Sequence, residues 1–557
     1  MHLTSPTYSL TFRLGLAFAM VWAPLSAQGQ ENDMAGRSTV YAPRAAAATS
    51  QPLATSAALE IMNQGGNAID AAVAAAAVLN VVEPHMTGMG GDMFAILWSA
   101  EAGELVGLDA SGRSGSGMTV EALRQAGHDR VPGRGAKAVT VPGAVSGWNA
   151  LVTQYGNLEL AQVLEPAIRI AEHGFPVTPI IARQWAGAAE KLAEDDGARA
   201  TYLVDGERAP RAGEWHTNPD LAHSFRRIAE EGPGVLYGGS LGRELVEGLE
   251  ALGGFITVED LAAQQPRWVE PLSTGFRGYT VWELPPAGQG IAALEMLKIL
   301  EPIDLEGMGR NSADYFHHLI EAKKLAFADL ARYVSDPETM EIDPNALLEP
   351  AFIDARRSLI DPRKAVERVE PGRAITDSET IYLSTADEEG NMVSFINSVY
   401  SSFGSGVVIP GTGFALQNRG GGFTMEEGHP NQVAPRKRPF HTIIPGFVTR
   451  NGEPLAAFGL MGGSMQPQGH TQLLLNMLVF EMSPQAAVDA PRFRHLSGNR
   501  VAIERVSDDM RKDLEARGHE IVDWTRTDFG GAQVIVRLSK GWAAASEPRK
   551  DGHAAGN

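Results

Sequence analysis

The stretch that decides the fold is TIYLSTADEEGNMVSFINSVY, residues 380–400. Two runs rich in β-forming residues, Ile381–Ala386 and Met392–Val399, flank Glu388–Gly390. These three residues fit a hairpin loop with glycine in the left-handed position. The stretch therefore predicts a β-hairpin.

The loop fixes which residues lie opposite each other in the hairpin. If Asp387 pairs with Asn391, Thr380 at the head of the first strand lies opposite Ser398 on the second. A second hydroxyl could then hydrogen-bond the threonine. A slipped register would remove this contact.

A polar run precedes the hairpin. Asp361–Ser378 contains two prolines and a glycine and has no apolar periodicity, which is typical of an exposed loop. A step from such a loop into a strand that opens on Thr380 suits a self-cleaving hydrolase with an N-terminal nucleophile. Cleavage before Thr380 would place an α-amine with a pKa of about 7.7–8.0 beside a weakly nucleophilic hydroxyl. The alternative is a loop that leads into an ordinary edge strand.

Composition excludes several functions. The 557 residues are 44% hydrophobic and carry a formal net charge of −20, with no basic run longer than Arg436–Arg438, so nucleic-acid binding is disfavoured. The chain has no cysteine, which excludes disulfides, thiolate catalysis and cysteine-based zinc sites. Gly88–Gly91 follows a helical pattern and precedes a strand, the reverse of a phosphate-binding loop. We expect no cofactor and no metal.

The N-terminus has the pattern of a secretory signal peptide. His2 and Arg13 precede the apolar run Leu14–Ala23, and small residues follow near Ala27 and Gly29. The apolar run is too short to span a bilayer. We therefore expect residues 1–29 to be removed, the protein to be periplasmic or secreted, and no stable membrane span. An uncleaved anchor is the alternative.

The remaining chain predicts a layered α+β fold. Helical patterns occur at Thr55–Ile61, Ala68–Val82, Ala161–His173 and Tyr315–Tyr333, and residues 145–360 are mostly helical. After residue 380, short strands and Gly-rich turns predominate, with a helix near Thr471–Phe480. Helices first and strands later indicate an α+β arrangement.

Short motifs recur along the chain in a characteristic order and spacing. They are Gly65–Ala74, Gly88–Phe94, Val141–Gly147, Glu321–Asp329, Ser335–Pro337, Phe403–Gly406, Gly411–Gly413, Met461–Ser464 and Ala490–Phe493. Together they resemble the γ-glutamyltransferase (glutathione hydrolase) family of N-terminal-nucleophile proenzymes. The resemblance implies a four-layer αββα sandwich formed jointly by a heavy subunit, residues 30–379, and a light subunit, residues 380–557. The two subunits would stay associated after cleavage between Glu379 and Thr380.

The resemblance also implies catalytic roles. It assigns the nucleophile to Thr380 and a supporting hydroxyl to Ser398, the residue that the hairpin register also indicates. It assigns the oxyanion donors to Gly462 and Gly463, where the absence of side chains allows close approach of two backbone N–H groups.

The substrate pocket departs from the family pattern. Positions that usually hold the α-amino group of a γ-glutamyl substrate fall on Tyr400, Arg419 and Gly422, and the Ser-Ser pair that usually holds the α-carboxylate becomes His441-Thr442. Arg113 is the nearest candidate for the arginine that pairs with that carboxylate, offset by about two positions.

Three functions are compatible with these residues. The first is a γ-glutamyltransferase or glutathione hydrolase that cleaves γ-glutamyl amides through a threonine acyl-enzyme, with transfer to water or to an acceptor amine. The second is a glutaryl or cephalosporin-type acylase on the same scaffold, because an acidic residue is missing from the ammonium pocket and Arg419 is added. The third is an inactive exported binding protein. In every case the expected partner is a small-molecule amide.

Overall fold

A computed structural model of the chain describes residues 36–367 and 379–557, apart from the side chains of Glu379, Arg526 and Thr527. Its strands are β1 Val40–Ala42, β2 Ala46–Thr49, β3 Asp92–Ser99, β4 Glu104–Ala110, β5 Phe175–Pro176, β6 Trp215–His216, β7 Arg267–Val269, β8 Leu272–Phe276, β9 Tyr279–Glu283, β10 Glu379–Ala386, β11 Met392–Tyr400, β12 Gly446–Arg450, β13 Glu453–Met461, β14 Phe493–Ser497, β15 Arg500–Ile503, β16 Glu520–Ile521, β17 Gly531–Arg537, β18 Trp542–Ser546 and β19 His553–Gly556. Its α-helices are α1 Pro52–Asn63, α2 Ala68–Val82, α3 Val120–Gln125, α4 Ala144–Tyr155, α5 Leu160–His173, α6 Pro179–Gly187, α7 Ala189–Leu192, α8 Asp196–Tyr202, α9 Pro219–Glu231, α10 Ser240–Ala251, α11 Val258–Ala262, α12 Gly290–Leu300, α13 Leu305–Met308, α14 Ala313–Tyr333, α15 Pro350–Arg357, α16 Met465–Leu478, α17 Pro484–Asp489 and α18 Asp508–Ala516.

Two seven-stranded sheets form the centre of the described structure. Sheet I has the order β19-β2-β10-β11-β3-β4-β7, and sheet II has the order β1-β18-β17-β13-β12-β9-β8. All neighbouring strands within both sheets are antiparallel. Apolar side chains of the two sheets meet between them, among them Phe94, Ile96 and Tyr382 from sheet I and Phe447 and Ile535 from sheet II.

Helices cover the outer faces of both sheets. α1, α2 and α4 pack on sheet I, and α12 and α16 pack on sheet II, each set through its own apolar core. The layer order is therefore αββα, and the predicted four-layer sandwich is confirmed.

Helix α2 is the most deeply buried helix against sheet I, and all of its residues are buried. Asn67 and Asp70 form a capping box at its N-terminus, which satisfies backbone N–H groups that would otherwise lack acceptors inside the protein. Alanines on every face allow close approach to α1, α5 and β10. Its predicted bounds, Ala68–Val82, are correct.

The hairpin β10–β11 lies in the middle of sheet I with the predicted register. Ala386 pairs with Met392 and Ile381 with Asn397, and Gly390 has a φ of 97°, as the three-residue loop requires. The alternative of an edge strand is wrong, because β2 and β3 flank the hairpin on both sides.

The expected division into early helices and late strands is only partly correct. The chain before residue 379 supplies β1–β4 and β7–β9, which complete both sheets. Strand pairing over such sequence distances cannot be inferred from local periodicity. The helix expected near Thr471–Phe480 begins earlier, at Met465.

Two expectations fall on residues that are not described. The signal peptide, residues 1–29, and most of the polar run before the hairpin, residues 368–378, lie outside the described ranges. Residues 361–364 of that run are exposed, as expected, but Ala365 is buried. In the described part of the chain, no helix combines the length and the apolar character needed to cross a bilayer.

Candidate active site

Thr380 and Ser398 face each other at the open end of the hairpin. Thr380 Oγ1 donates a hydrogen bond of 3.2 Å to Ser398 Oγ, and both side chains are fully buried. Ser398 Oγ also accepts a 2.8 Å hydrogen bond from the backbone N–H of Tyr400. The predicted contact between the two hydroxyls is present, whereas their catalytic roles remain predictions.

The peptide bond before Thr380 lies at a β-bulge. The register shifts between Glu379 and Ile381, so that Glu379 lies opposite Tyr400. Tyr400 has a φ of 80°, in the left-handed region that is unfavourable for a bulky residue. Bulges and residues of this kind are frequent near active sites, where they direct side chains and store strain.

A close contact between the sheets aligns β10 with β13. The ring of Tyr382 lies across Gly459, where an added Cβ would be 2.3 Å from the ring atom Cε2. Ser384, two residues further along β10, bonds to the carbonyl of Ala457, two residues back along β13. The two strands therefore run in opposite directions, and the head of β10 lies toward the end of β13.

The glycine pair Gly462-Gly463 directly follows β13 and precedes α16. Gly462 has a φ of 122° and Gly463 a φ of 60°, conformations that favour glycine. Gln289 Nε2 donates to the carbonyl oxygen of Gly463 at 2.8 Å and to that of Thr442 at 2.5 Å. Gln289, which no sequence pattern indicated, thus connects the glycine pair with Thr442 of the predicted substrate pocket.

Arg419 carries a buried positive charge in that pocket. Its side chain is fully buried, Nη1 donates to Thr442 Oγ1 at 3.0 Å, and the guanidinium carbon lies 4.7 Å from the ring centre of Tyr400. Its Nε and Nη2 atoms have no hydrogen-bond partner among the described residues. Burial lowers the pKa of Arg419 to about 10, and Asp92 and Tyr400 act in the opposite direction. The group is therefore still a cation at neutral pH.

Asp92 joins the hairpin to the segment that contains His441. On β3, Asp92 lies directly opposite Ser398. Its Oδ2 lies 2.8 Å from His441 Nε2, and His441 Nδ1 lies 2.7 Å from the carbonyl oxygen of Pro439. Both ring nitrogens of His441 therefore face acceptors, and the ring orientation is fixed at a site without solvent exposure.

The other carboxylate oxygen of Asp92 is also fully engaged. Oδ1 accepts hydrogen bonds from the backbone N–H groups of Gly112 and Gly143 and from Gln417 Nε2, at 2.9–3.1 Å. With His441, four donors surround this carboxylate. His441 and Gln417 lie more than 300 residues from Asp92 along the chain, so local sequence patterns do not indicate them as its partners.

Arg113 has other partners in this structure. Its side chain is 32% exposed, forms an ion pair with Glu338 and donates to the carbonyl oxygen of Arg436 at 2.8 Å. Among the described residues, none of its hydrogen bonds goes to Thr442, the acceptor that Arg419 contacts. Its predicted role in binding a carboxylate therefore has less geometric support than that of Arg419.

An αββα sandwich with a hydroxyl residue at the head of a central strand is characteristic of N-terminal-nucleophile hydrolases. The profile of the family described as Gamma-glutamyltranspeptidase matches residues 54–557. The chain belongs to this family, as the sequence motifs predicted.

The names of similar proteins describe several different activities. The chain is 37% identical to the glutathione hydrolase-like YwrD proenzyme of Bacillus subtilis, over 90% of this chain and 97% of the relative. It is 36% identical to the oxamate amidohydrolase proenzyme of Klebsiella pneumoniae, with the same coverage of both. The crystal structure of cephalosporin acylase from Bacillus halodurans superposes with a TM-score of 0.89 at 44% identity, covering 94% of this chain and 97% of that one. The family therefore contains hydrolases of different amides.

Proposed function

We propose that the chain is an autoprocessing amidohydrolase whose nucleophile, Thr380, becomes N-terminal by self-cleavage. Two observations support the proposal. Thr380 forms a hydrogen bond with Ser398, and the peptide bond that would be cleaved lies at the β-bulge between Glu379 and Ile381. The relatives from Bacillus and Klebsiella are named as proenzymes. Residues 30–379 and 380–557 would remain associated, because both contribute strands to both sheets.

Self-cleavage would begin with attack of Thr380 Oγ1 on the carbonyl carbon of Glu379. A carbon–oxygen bond forms, the peptide carbon–nitrogen bond breaks, and the freed nitrogen takes up the hydroxyl proton. Water then hydrolyses the ester and leaves a carboxylate on Glu379 and an α-amine on Thr380. This amine is the base that the threonine hydroxyl needs in turnover.

Turnover would use the same hydroxyl. Thr380 Oγ1 attacks the substrate amide, its α-amine carries the proton to the leaving amine, and Ser398 holds the hydroxyl in position. The backbone N–H groups of Gly462 and Gly463 would stabilise the oxyanion. Water, or an acceptor amine, then releases the acyl group from the enzyme.

The buried guanidinium of Arg419 is the main support for the proposed acyl specificity. A buried guanidinium with two nitrogen atoms that lack partners among the described residues suits a carboxylate, which can accept two parallel hydrogen bonds. Tyr400 and Thr442 hold the guanidinium in place. We infer that the preferred acyl group bears a terminal carboxylate, as glutaryl does.

An α-ammonium group would be less favourable in this pocket. Asp92, the acid that acts on the pKa of Arg419, is already engaged by four donors. A buried ammonium without a partner costs several kcal/mol, and the nearby guanidinium adds repulsion. The names of the cephalosporin acylase and of the oxamate amidohydrolase agree with substrates other than γ-glutamyl compounds.

Glutathione hydrolase activity is the second candidate, supported by the family and by the name of the Bacillus subtilis relative. Measuring kcat/KM of the processed protein for glutaryl and γ-glutamyl p-nitroanilide separates the two functions. We expect a preference for the glutaryl substrate. A γ-glutamyl preference above about a hundredfold, or ~2.7 kcal/mol, would establish glutathione hydrolase specificity instead. A protein that stays unprocessed and hydrolyses neither substrate would support the third possibility, a binding protein.

Export is the remaining part of the proposal. The charged start, short apolar core and small residues within residues 1–29 support removal of a signal peptide and a periplasmic or secreted enzyme. N-terminal sequencing of the heavy subunit tests this. A heavy subunit that still begins at Met1 would contradict it.

A further inference from the structure

A cluster of side chains of the types that bind metal ions lies apart from the candidate active site, between α14 and the segment after α18. His317 and Glu321 occupy adjacent turns of α14 on one face, and His519 follows α18. One nitrogen or oxygen atom from each residue lies within 4.8 Å of the others, and all three side chains are buried. Two imidazoles and a carboxylate form a common ligand set for zinc and related ions.

Hydrogen bonds orient His317 as in many metal sites. Its Nε2 atom lies 2.8 Å from the carbonyl oxygen of Asp361, which can only accept, so Nε2 carries the proton. Its Nδ1 atom therefore accepts a hydrogen bond from His519 Nε2, 2.9 Å away, and an ion bound by both nitrogens would take the place of that proton. A carbonyl on the outer nitrogen is the usual arrangement for a histidine that binds a metal.

The second ring nitrogen of His519 is not used by the described part of the protein. His519 Nδ1 is buried and has no hydrogen-bond partner among the described residues, so it can carry the ring proton when an ion occupies Nε2.

The charge around Glu321 sets a limit on the affinity. Lys324 Nζ donates to Glu321 Oε1 at 2.8 Å, and this ammonium repels a bound cation. Its two other hydrogen bonds, to the carbonyl oxygen of Val366 and to Asn499, hold it beside Glu321. Glu321 Oε2 accepts one hydrogen bond, from the backbone N–H of Val366, and keeps a second lone pair. We therefore expect weaker binding than in a site with four protein ligands.

The cluster anchors the arm that leads to the candidate cleavage site, which we define as residues 361–366. His317 contacts Asp361, Glu321 contacts Val366, and Ala365 donates to the carbonyl oxygen of Arg517. The described chain stops one residue after this arm, at Glu367, and resumes at Glu379.

We propose that His317, Glu321 and His519 bind one divalent transition-metal ion, with Zn²⁺ as the best match, and that the ion fixes the arm 361–366 on α14. Water would complete the coordination. Zinc binding is measured without substrate and without cleavage, so its failure is distinct from failure of the proposed function.

The first test is zinc binding to the full-length chain after removal of metals with a chelator. Titration with ZnCl₂ should give one bound equivalent, and Co²⁺ at the same site should give the visible absorption of a nitrogen- and oxygen-ligated ion. His317→Ala and Glu321→Gln should weaken zinc binding by at least about tenfold. His318→Ala is the matched control, because the next histidine of α14 bonds to Asp314 of its own helix. The proposal would be overturned if the wild-type chain bound no zinc. It would also be overturned if a Glu321→Gln variant with unchanged circular dichroism bound zinc as tightly as the wild type.

The second test concerns the arm. Arg363 and Lys364 are exposed and are trypsin sites. Zinc should slow cleavage after Lys364, detected by mass spectrometry, in the wild-type chain and not in Glu321→Gln. Equal cleavage rates with and without zinc in the wild type would show that the ion does not hold the arm.

Discussion

Asp92 Oδ2 and His441 Nε2 lie 2.8 Å apart without solvent exposure, and Asp92 lies directly opposite Ser398 in sheet I. The pair therefore links the strand beside the candidate nucleophile to the segment that supplies Thr442. A buried charge with four donors is costly to disturb, because its partners would lose their acceptor without gaining water.

Asp92→Asn tests this network. The amide oxygen can replace Oδ1 as the acceptor for Gly112, Gly143 and Gln417. An NH₂ group then replaces Oδ2 opposite His441, and the negative charge is lost. We expect the free energy of unfolding, measured with urea, to fall by about 3–5 kcal/mol. Asp129→Asn, at an exposed loop position, is the control. A loss no larger than that of the control would show that Asp92 is not essential to the fold around the site.

Ser398→Ala tests whether Ser398 supports Thr380, the candidate nucleophile. Loss of the hydroxyl 3.2 Å from Thr380 Oγ1 should slow both self-cleavage and turnover by about 10–10³-fold, and Ser398→Thr should retain most of the rate. Ser394→Ala is the matched control, since Ser394 is buried on the same strand but bonds to Tyr382. Unchanged rates in a folded Ser398→Ala protein would remove Ser398 from the mechanism.

Arg419→Leu tests acyl recognition. Hydrogen bonds to charged groups contribute about 1.5–3 kcal/mol each, so kcat/KM for glutaryl p-nitroanilide should fall by roughly a hundredfold or more. Turnover of butyryl p-nitroanilide, which lacks the carboxylate, should change little. Arg450, which also stacks on a tyrosine but is exposed, provides the control variant Arg450→Leu. Equal losses on both substrates would mean that Arg419 supports the site without binding the carboxylate.

His85→Gln tests a source of acid sensitivity. Burial lowers the pKa of His85 from 6.5 to about 3, so the folded state favours the neutral ring. This contribution to stability is present above pH 6.5 and is lost as the pH falls from about 6.5 to about 3, with a slope of about 1.4 kcal/mol per pH unit. The variant should show a shallower loss of unfolding free energy between pH 7 and pH 4, whereas His223→Gln at an exposed position should not. An identical pH dependence would mean that folding does not lower the pKa of His85.

The sequence predicted best those features that depend on neighbouring residues. The three-residue loop with its glycine determined the register of β10–β11, and the helical pattern gave the bounds of α2. The long-range partners were not predictable in this way. The donors to Asp92 come from four separate segments, and strands far apart in sequence complete each sheet.

The histidine cluster shows the same limit. The spacing of His317 and Glu321 on α14 is visible in the sequence, but His519 approaches them only in the folded chain. The expectation of no metal stays a prediction, which zinc binding by this cluster would contradict. Family motifs, by contrast, located the glycine pair and Arg419, which local patterns alone did not indicate.

The central claim is cleavage before Thr380, and N-terminal sequencing of the smaller band from the purified protein tests it most directly. We expect a light subunit of 178 residues that begins at Thr380, and a Thr380→Ala protein that stays as one inactive chain. A smaller band that begins at another residue, or a Thr380→Ala protein that still divides at the same place, would contradict the account.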